Sequence, residues 1–165
     1  MLSIHRFPDP LLKQPTRSVE RIDDHVKRLI DGLIATMRHY PRCVGLAAPQ
    51  VGSNMRVAVM DASRHPKAKT NHGLLVLVNP HFETTEGVVI QREGCLSIPD
   101  FTANVRRAVR VHLIAQDQFG SVHDYWLERF EAIVAQHEVD HLDGKLFLDR
   151  VADLKTDVFR RKTYL

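Results

Sequence analysis

Two histidines four residues apart, with a glutamate directly after the first, stand in "QHEVDHLDG" as His137, Glu138 and His141. On a helix, positions i and i+4 project from one face about one turn apart, so both imidazoles can reach a single metal ion. Glu138 lies about 100° further round the helix. That is too far for a natural third ligand, yet well placed to take a proton from water at the ion's open side. Both histidines fall on the stripe that Phe130, Ile133 and Val134 direct toward the core, where an imidazole without a partner would be costly.

A catalytic ion of this kind usually takes three protein ligands and keeps its fourth position open. Beyond Gly144 there is no histidine, and Asp149, Asp153 and Asp157 are the only side-chain carboxylates, so the third ligand has to come from elsewhere. Cys95 is the better candidate. A thiolate binds such metals strongly, and "REGCLSIP" surrounds it with small and turn-forming residues at a strand end. Taken alone, a single cysteine reads as a small buried hydrophobe. The only other cysteine, Cys43, forms no CxxC pair with it, and a disulfide framework is not expected.

The elements that must carry these residues follow from patterning. Val26, Leu29, Ile30, Leu33, Ile34 and Met37 repeat at helical spacing, with Asp23 and Asp24 at the N-terminal turn and Pro41 closing the segment. From Arg56 to Glu128 the chain turns to short β-branched runs: "RVAVMDA", "GLLVLVNPHFETTE", "VVIQREGCLS", "RAVRVHLIAQD" and "SVHDYWLE". "DQFGS" is the tip of a hairpin between the last two, a second helix starts near Arg129, and the polar tail "LKTDVFRRKTYL" is expected to add a short helix. Strands not regularly alternated with helices predict an α+β fold: mixed and antiparallel short sheets around a central helix bearing the histidines, with an N-terminal helix. At 165 residues, 44% hydrophobic and 26% charged, one domain spanning 1–165 is expected.

The same sequence excludes several function classes. A formal charge of +3 falls short of a dedicated DNA-binding signature. The aliphatic run "LLVLV" is far below the roughly 20 residues a bilayer needs, and "MLSIHRFPDP" lacks a secretory signal, so a cytoplasmic location without membrane association is expected. Walker, GxGxxG and GxSxG motifs are absent.

Three segments together resemble one family, the peptide deformylases: "CVGLAAPQVG", "EGCLS" and "QHEVDH" match its three signature motifs in order and approximate separation. The likeness runs from "PDPLLKQP" to "GKLFLDR". It implies a metal-dependent hydrolase that removes the formyl group from N-formylmethionine on nascent polypeptides, releasing formate. One divalent ion would be held by Cys95, His137 and His141, with Fe(II) the usual physiological metal and Zn, Ni or Co able to replace it. Glu138 would serve as general base and acid, and Gln50 and the Leu96 backbone N–H would stabilise the oxyanion. Gly45 would contact the substrate backbone, Val44, Ile133 and Val134 would line the methionine pocket, and Glu93 and Gly94 would belong to the substrate loop. Two positions depart from the pattern. Cys43 stands where the first motif usually opens with Gly, and Thr102 is nearest the place where many members carry Arg.

Two other readings compete. A metallopeptidase would use the same helix on ordinary amide bonds, but would lack its downstream ligand. A non-catalytic binding protein whose metal only staples the fold would dock on ribosomes through basic segments, and a formyl-Met enzyme would itself admit transient ribosome association. "RRAVR" and "FRRKTYL" could supply a basic surface for either, although such charge runs are usually solvated faces.

Overall fold

The computed structural model describes residues 1–162. Helix α1 (Asp24–His39) begins where the Asp23 carboxylate accepts from the Val26 amide, satisfying one of the donors that every helix start leaves without a partner. Its apolar stripe buries Val26, Ile30, Leu33 and Met37 against Leu46, Val57 and Val59.

The predicted strands appear as β2 (Val57–Asp61), β3 (Leu74–Glu86), β4 (Val89–Cys95), β6 (Arg110–Gln116) and β7 (Val122–Glu128). With the short β1 (Gly45–Ala47), four of them make a five-stranded antiparallel sheet in the order β1-β2-β3-β6-β7. The β6–β7 hairpin turns at the predicted place, with Asp117 N–H donating to Ser121 O at 2.9 Å and Gly120 at φ +86°.

A second sheet has the order β4-β5-β8, and two of its strands correct the sequence reading. Strand β5 (Ile98–Arg107) runs through "DFTANVRR", which has no run of β-branched residues to announce it. The tail contains no helix among the described residues. It forms β8 (Val158–Arg160), which pairs with β5 in the register Thr102↔Phe159. Thr163, Tyr164 and Leu165, the end of the expected tail helix, lie outside the described residues.

Helix α2 (Arg129–Leu142) lies between the two sheets. Ala132, Val134, Ala135, Val139 and Leu142 join Met60, Leu77, Leu113 and Leu127 of the larger sheet in one core, where each fully buried leucine contributes about 1.5–3 kcal/mol. Its other face turns His137, Asp140 and His141 toward the smaller sheet. Among the described residues no helix is long and apolar enough to cross a membrane.

Candidate active site

Each chemical side chain leaves a regular element, so backbone geometry sets its direction. Strand β4 ends at Cys95, and a tight turn through Leu96 and Ser97 returns the chain as β5, with Cys95 paired to Ile98. Cys95 Sγ lies 3.3 Å from His141 Nε2. One ligand atom from each of Cys95, His137 and His141 falls within 4.8 Å of the other two. Two ligands of a tetrahedral ion, at thiolate and imidazole bond lengths, stand roughly 3.6 Å apart, so a thiol and two imidazoles at this spacing fit a shared ion. His141 Nδ1 is buried with no hydrogen-bond partner among the described residues. Burial, joined by the charges of His137 and Arg107, holds the His141 pKa well below the usual imidazole range, keeping the neutral form that ligates metals.

His137 is oriented from behind. Its Nδ1 bonds Glu93 Oε1 at 2.8 Å, which leaves Nε2 for the site. Glu93 also accepts from Arg107 Nε at 2.7 Å and Nη2 at 2.9 Å, and Arg107 Nη1 donates to Asp140 Oδ2 at 2.6 Å. Burial alone would raise the Glu93 carboxyl, but the bonds from Arg107 and His137 overcome it and bring the pKa down to about 2. Both Glu93 oxygens are engaged by Arg107 and His137, so the carboxylate braces the imidazole from a position that also lines the cleft. Arg107, read in "RRAVR" as part of a solvated face, is buried. It is the residue that sequence reasoning missed most completely.

Gln50, an ordinary loop residue by type, is 2% exposed. Its Oε1 accepts from the Ala47 amide at 3.0 Å, which fixes the amide so that Nε2 faces Cys95 Sγ at 3.4 Å and Ser97 Oγ at 3.2 Å. A neutral donor is therefore held at the edge of the ligand cluster, where negative charge on a substrate oxygen would be stabilised.

Glu138 is buried, and its Oε2 has no hydrogen-bond partner among the described residues. Burial, with the charge of Glu93, raises its pKa to about 7 against the opposing pull of His137 and Arg107. A carboxyl poised there can both accept and return a proton near neutral pH. Gly45 makes this placement possible: a methyl group on it would stand 2.8 Å from Glu138 Cδ and 2.9 Å from Cγ. Gly45→Ala is expected to leave the fold intact and lower kcat by about 10²-fold, because displacing a reacting group by an ångström costs that much. Circular dichroism beside steady-state kinetics checks it, and an unchanged kcat would contradict the placement.

A cleft of about 180 Å³ opens over these groups, lined by Val44, Gly45, Gln50, Glu93, Gly94, Cys95, Leu96, Ile133, Val134, His137 and Glu138. The chain matches the family described as "Polypeptide deformylase" over residues 1–157. It is 42% identical over 162 residues to the peptide deformylase of Alkalilimnicola ehrlichii, covering 98% of this chain and 88% of that one. The chain belongs to the peptide deformylase family. The Thermotoga maritima peptide deformylase superposes with a TM-score of 0.84 at 36% identity, covering 93% of this chain and 99% of the other. A class I type b peptide deformylase from Acinetobacter baumannii, crystallised with Met-Ala-Ser bound, gives 0.85 at 30% identity, covering 92% and 98%.

Peptide deformylases are metal-dependent hydrolases that remove N-formyl groups from nascent peptides, and this chain is such an enzyme. Its departures from the family motifs now have a structural setting. Cys43 lines the cleft and its Sγ donates to Gly45 O at 3.1 Å. Burial first, then the Glu138 and Cys95 charges, push its pKa up to about 12, so it stays a thiol and is a poor target for oxidation. Thr102 lies within β5, beside Phe159 of β8, and the guanidinium of Arg92 stacks on that Phe159 ring at 3.6 Å. The cleft also includes His65, stacked on Phe130 with ring centroids 4.5 Å apart. Helical spacing points to Phe130, but nothing local signals His65.

Proposed function

We propose that Cys95, His137 and His141 hold one divalent ion, Fe(II) in the cell, and that Glu138, Gln50 and Leu96 carry the hydrolysis of N-formylmethionyl peptides within one domain spanning 1–165. The observation that carries this reading is the convergence of one thiol and two imidazoles within 4.8 Å at the edge of a cleft. The bound ion supplies Lewis acidity toward the formyl oxygen and the attacking water. Glu138 takes a proton from that water as its oxygen adds to the formyl carbon. Negative charge gathers on the former carbonyl oxygen, where Gln50 Nε2 and the Leu96 N–H donate to it. Glu138 then returns the proton to the methionine nitrogen, the C–N bond breaks, and formate and a free amine leave. Val44, Ile133 and Val134 enclose the methionine side chain, Gly45 and Gly94 border the peptide backbone where they line the cleft, and Glu93 holds His137 in place.

The bound Met-Ala-Ser of the Acinetobacter relative supports a peptide running on beyond methionine in the same cleft. The reaction belongs in the cytoplasm, where formylated chains emerge from ribosomes, with transient ribosome association. Formate release from formyl-Met-Ala-Ser, beside an unformylated control, tests the reaction. Release from neither, with the metal loaded, would overturn it.

Thiolate and imidazole suit Fe and Zn alike, but an iron–thiolate pair is open to oxidation. The iron form is expected to lose activity in air faster than the nickel or cobalt forms. Equal lifetimes, measured as residual formate release after timed exposure, would contradict the assignment of iron.

A further inference from the structure

A second cavity, of about 300 Å³, adjoins the cleft across the catalytic loop: Cys95 and Leu96 line both. The charged residues lining this second space are Arg6, Asp100 and Arg161. Arg161 follows the last residue of β8, and its amide donates to Asp100 O at 2.8 Å, which ties the two strands together at this point. Its guanidinium lies over Gly94, where a Cβ would meet Nη2 and stand 3.2 Å from Cζ. Nε and Nη2 are buried with no hydrogen-bond partner among the described residues. A buried guanidinium nitrogen with no acceptor is costly, so a site that keeps one beside the substrate path is suited to receive an acceptor from a ligand.

Charge narrows the chemistry of that ligand. The acidic groups of the cleft are committed, Glu93 to Arg107 and His137, and Glu138 to the interior. The exposed charged residues lining the cleft are Arg42 and Arg92. Together with Arg6 and Arg161 they set four arginines against Asp100 around the route a peptide takes past Leu96. A peptide carbonyl would answer one donor and none of that charge, whereas a carboxylate answers both and matches the guanidinium fork.

We propose that Arg161, assisted by Arg6, forms a subsite on the Leu96 flank of the cleft for an acidic side chain, so that this enzyme favours formylmethionyl peptides with Asp or Glu at one of the two positions that follow methionine. This rests on the reaction proposed above, and it concerns which nascent chains are processed fastest. Arg161 is a specificity-determining residue that acts on peptide binding, so the preference appears in KM and leaves the kcat ratio near one.

The test uses the metal-loaded enzyme and C-terminally amidated peptides, so that the side chain is the only carboxylate. Calorimetry compares the product peptides Met-Glu-Ser and Met-Ala-Glu with their Lys counterparts, and kinetics compares the formylated forms. The Glu peptides are expected to bind about tenfold more tightly at one of the two positions, the scale of a charge-assisted hydrogen bond. That ratio should fall toward one in Arg161→Gln and part-way in Arg6→Gln. Arg6 is exposed, so the second variant keeps the test sound should the first fail to fold. A wild-type ratio near one, or a ratio that neither variant moves, overturns the subsite. Because product binding does not require turnover, failure of the hydrolytic reading would be seen separately, as absent formate.

Discussion

Glu138→Gln is expected to reduce formate release by about 10²- to 10⁴-fold, the range associated with a positioned general base, while metal content stays at the wild-type level. The substitution keeps the size and polarity of the side chain and removes its ability to take a proton. None of the three converging ligand atoms belongs to residue 138, so the ion should be retained. The buried position also predicts a small folding cost. A carboxylate there, with Oε2 lacking a partner and its pKa raised to about 7 by burial and then by the charge of Glu93, carries a desolvation burden that an amide does not. Glu138→Gln should therefore be at least as stable as the wild type in urea. Metal analysis, formate release and urea unfolding on one preparation read all three quantities. Retained metal with an unchanged rate would make the ion a structural staple and revive the non-catalytic reading. Lost metal would instead mean that residue 138 helps to hold the ion.

The parts of this molecule legible in its sequence are those whose signal is local. Helix α1 was readable because its apolar residues repeat within one stretch and Asp23 caps it at close range. The β6–β7 hairpin was readable because its turn residues lie between two β-branched runs. Strand β5 was not. Its buried positions do alternate, through Ala103, Val105 and Arg107, but one is small and one is charged, and a buried arginine is invisible until its acids are in place. The three-residue β8 depends on pairing with β5 far back in the chain, so no window around residue 158 could announce it.

The site divides the same way. Cys95, His137 and His141 could be matched because metal ligation restricts residue types to a few. Gln50 could not be told from a loop amide by type, since its role comes from the Ala47 bond that fixes its orientation. The cluster of Glu93, Arg107, Asp140 and Arg150 was the least legible of all. Each member looks like a surface charge until the pairings, such as Arg150 Nη2 to Asp140 Oδ1 at 2.9 Å, are seen.

That cluster carries the largest expected effect on stability. Arg107 is 5% exposed and holds Glu93 by two bonds and Asp140 by one. Arg107→Met keeps much of the aliphatic length and leaves Glu93 without a cation of fixed charge, so the loss should be about 3–5 kcal/mol, as for other buried pairs broken from one side. Glu93 would then grip His137 less firmly, and metal affinity should fall about 10- to 100-fold, as for other groups that orient a ligand from behind. Acid unfolding supplies an independent sign. With its pKa depressed to about 2 from an ordinary 4.5, Glu93 adds stability that is complete above 4.5 and is lost as pH falls through about 2. Arg107→Met should lose most of this dependence because its main cause has been removed. Urea midpoints measured between neutral pH and pH 2 for both proteins, with metal titrations at neutral pH, decide the matter. A variant as stable as the wild type, with the same acid profile, would mean that Glu93 is held by His137 alone.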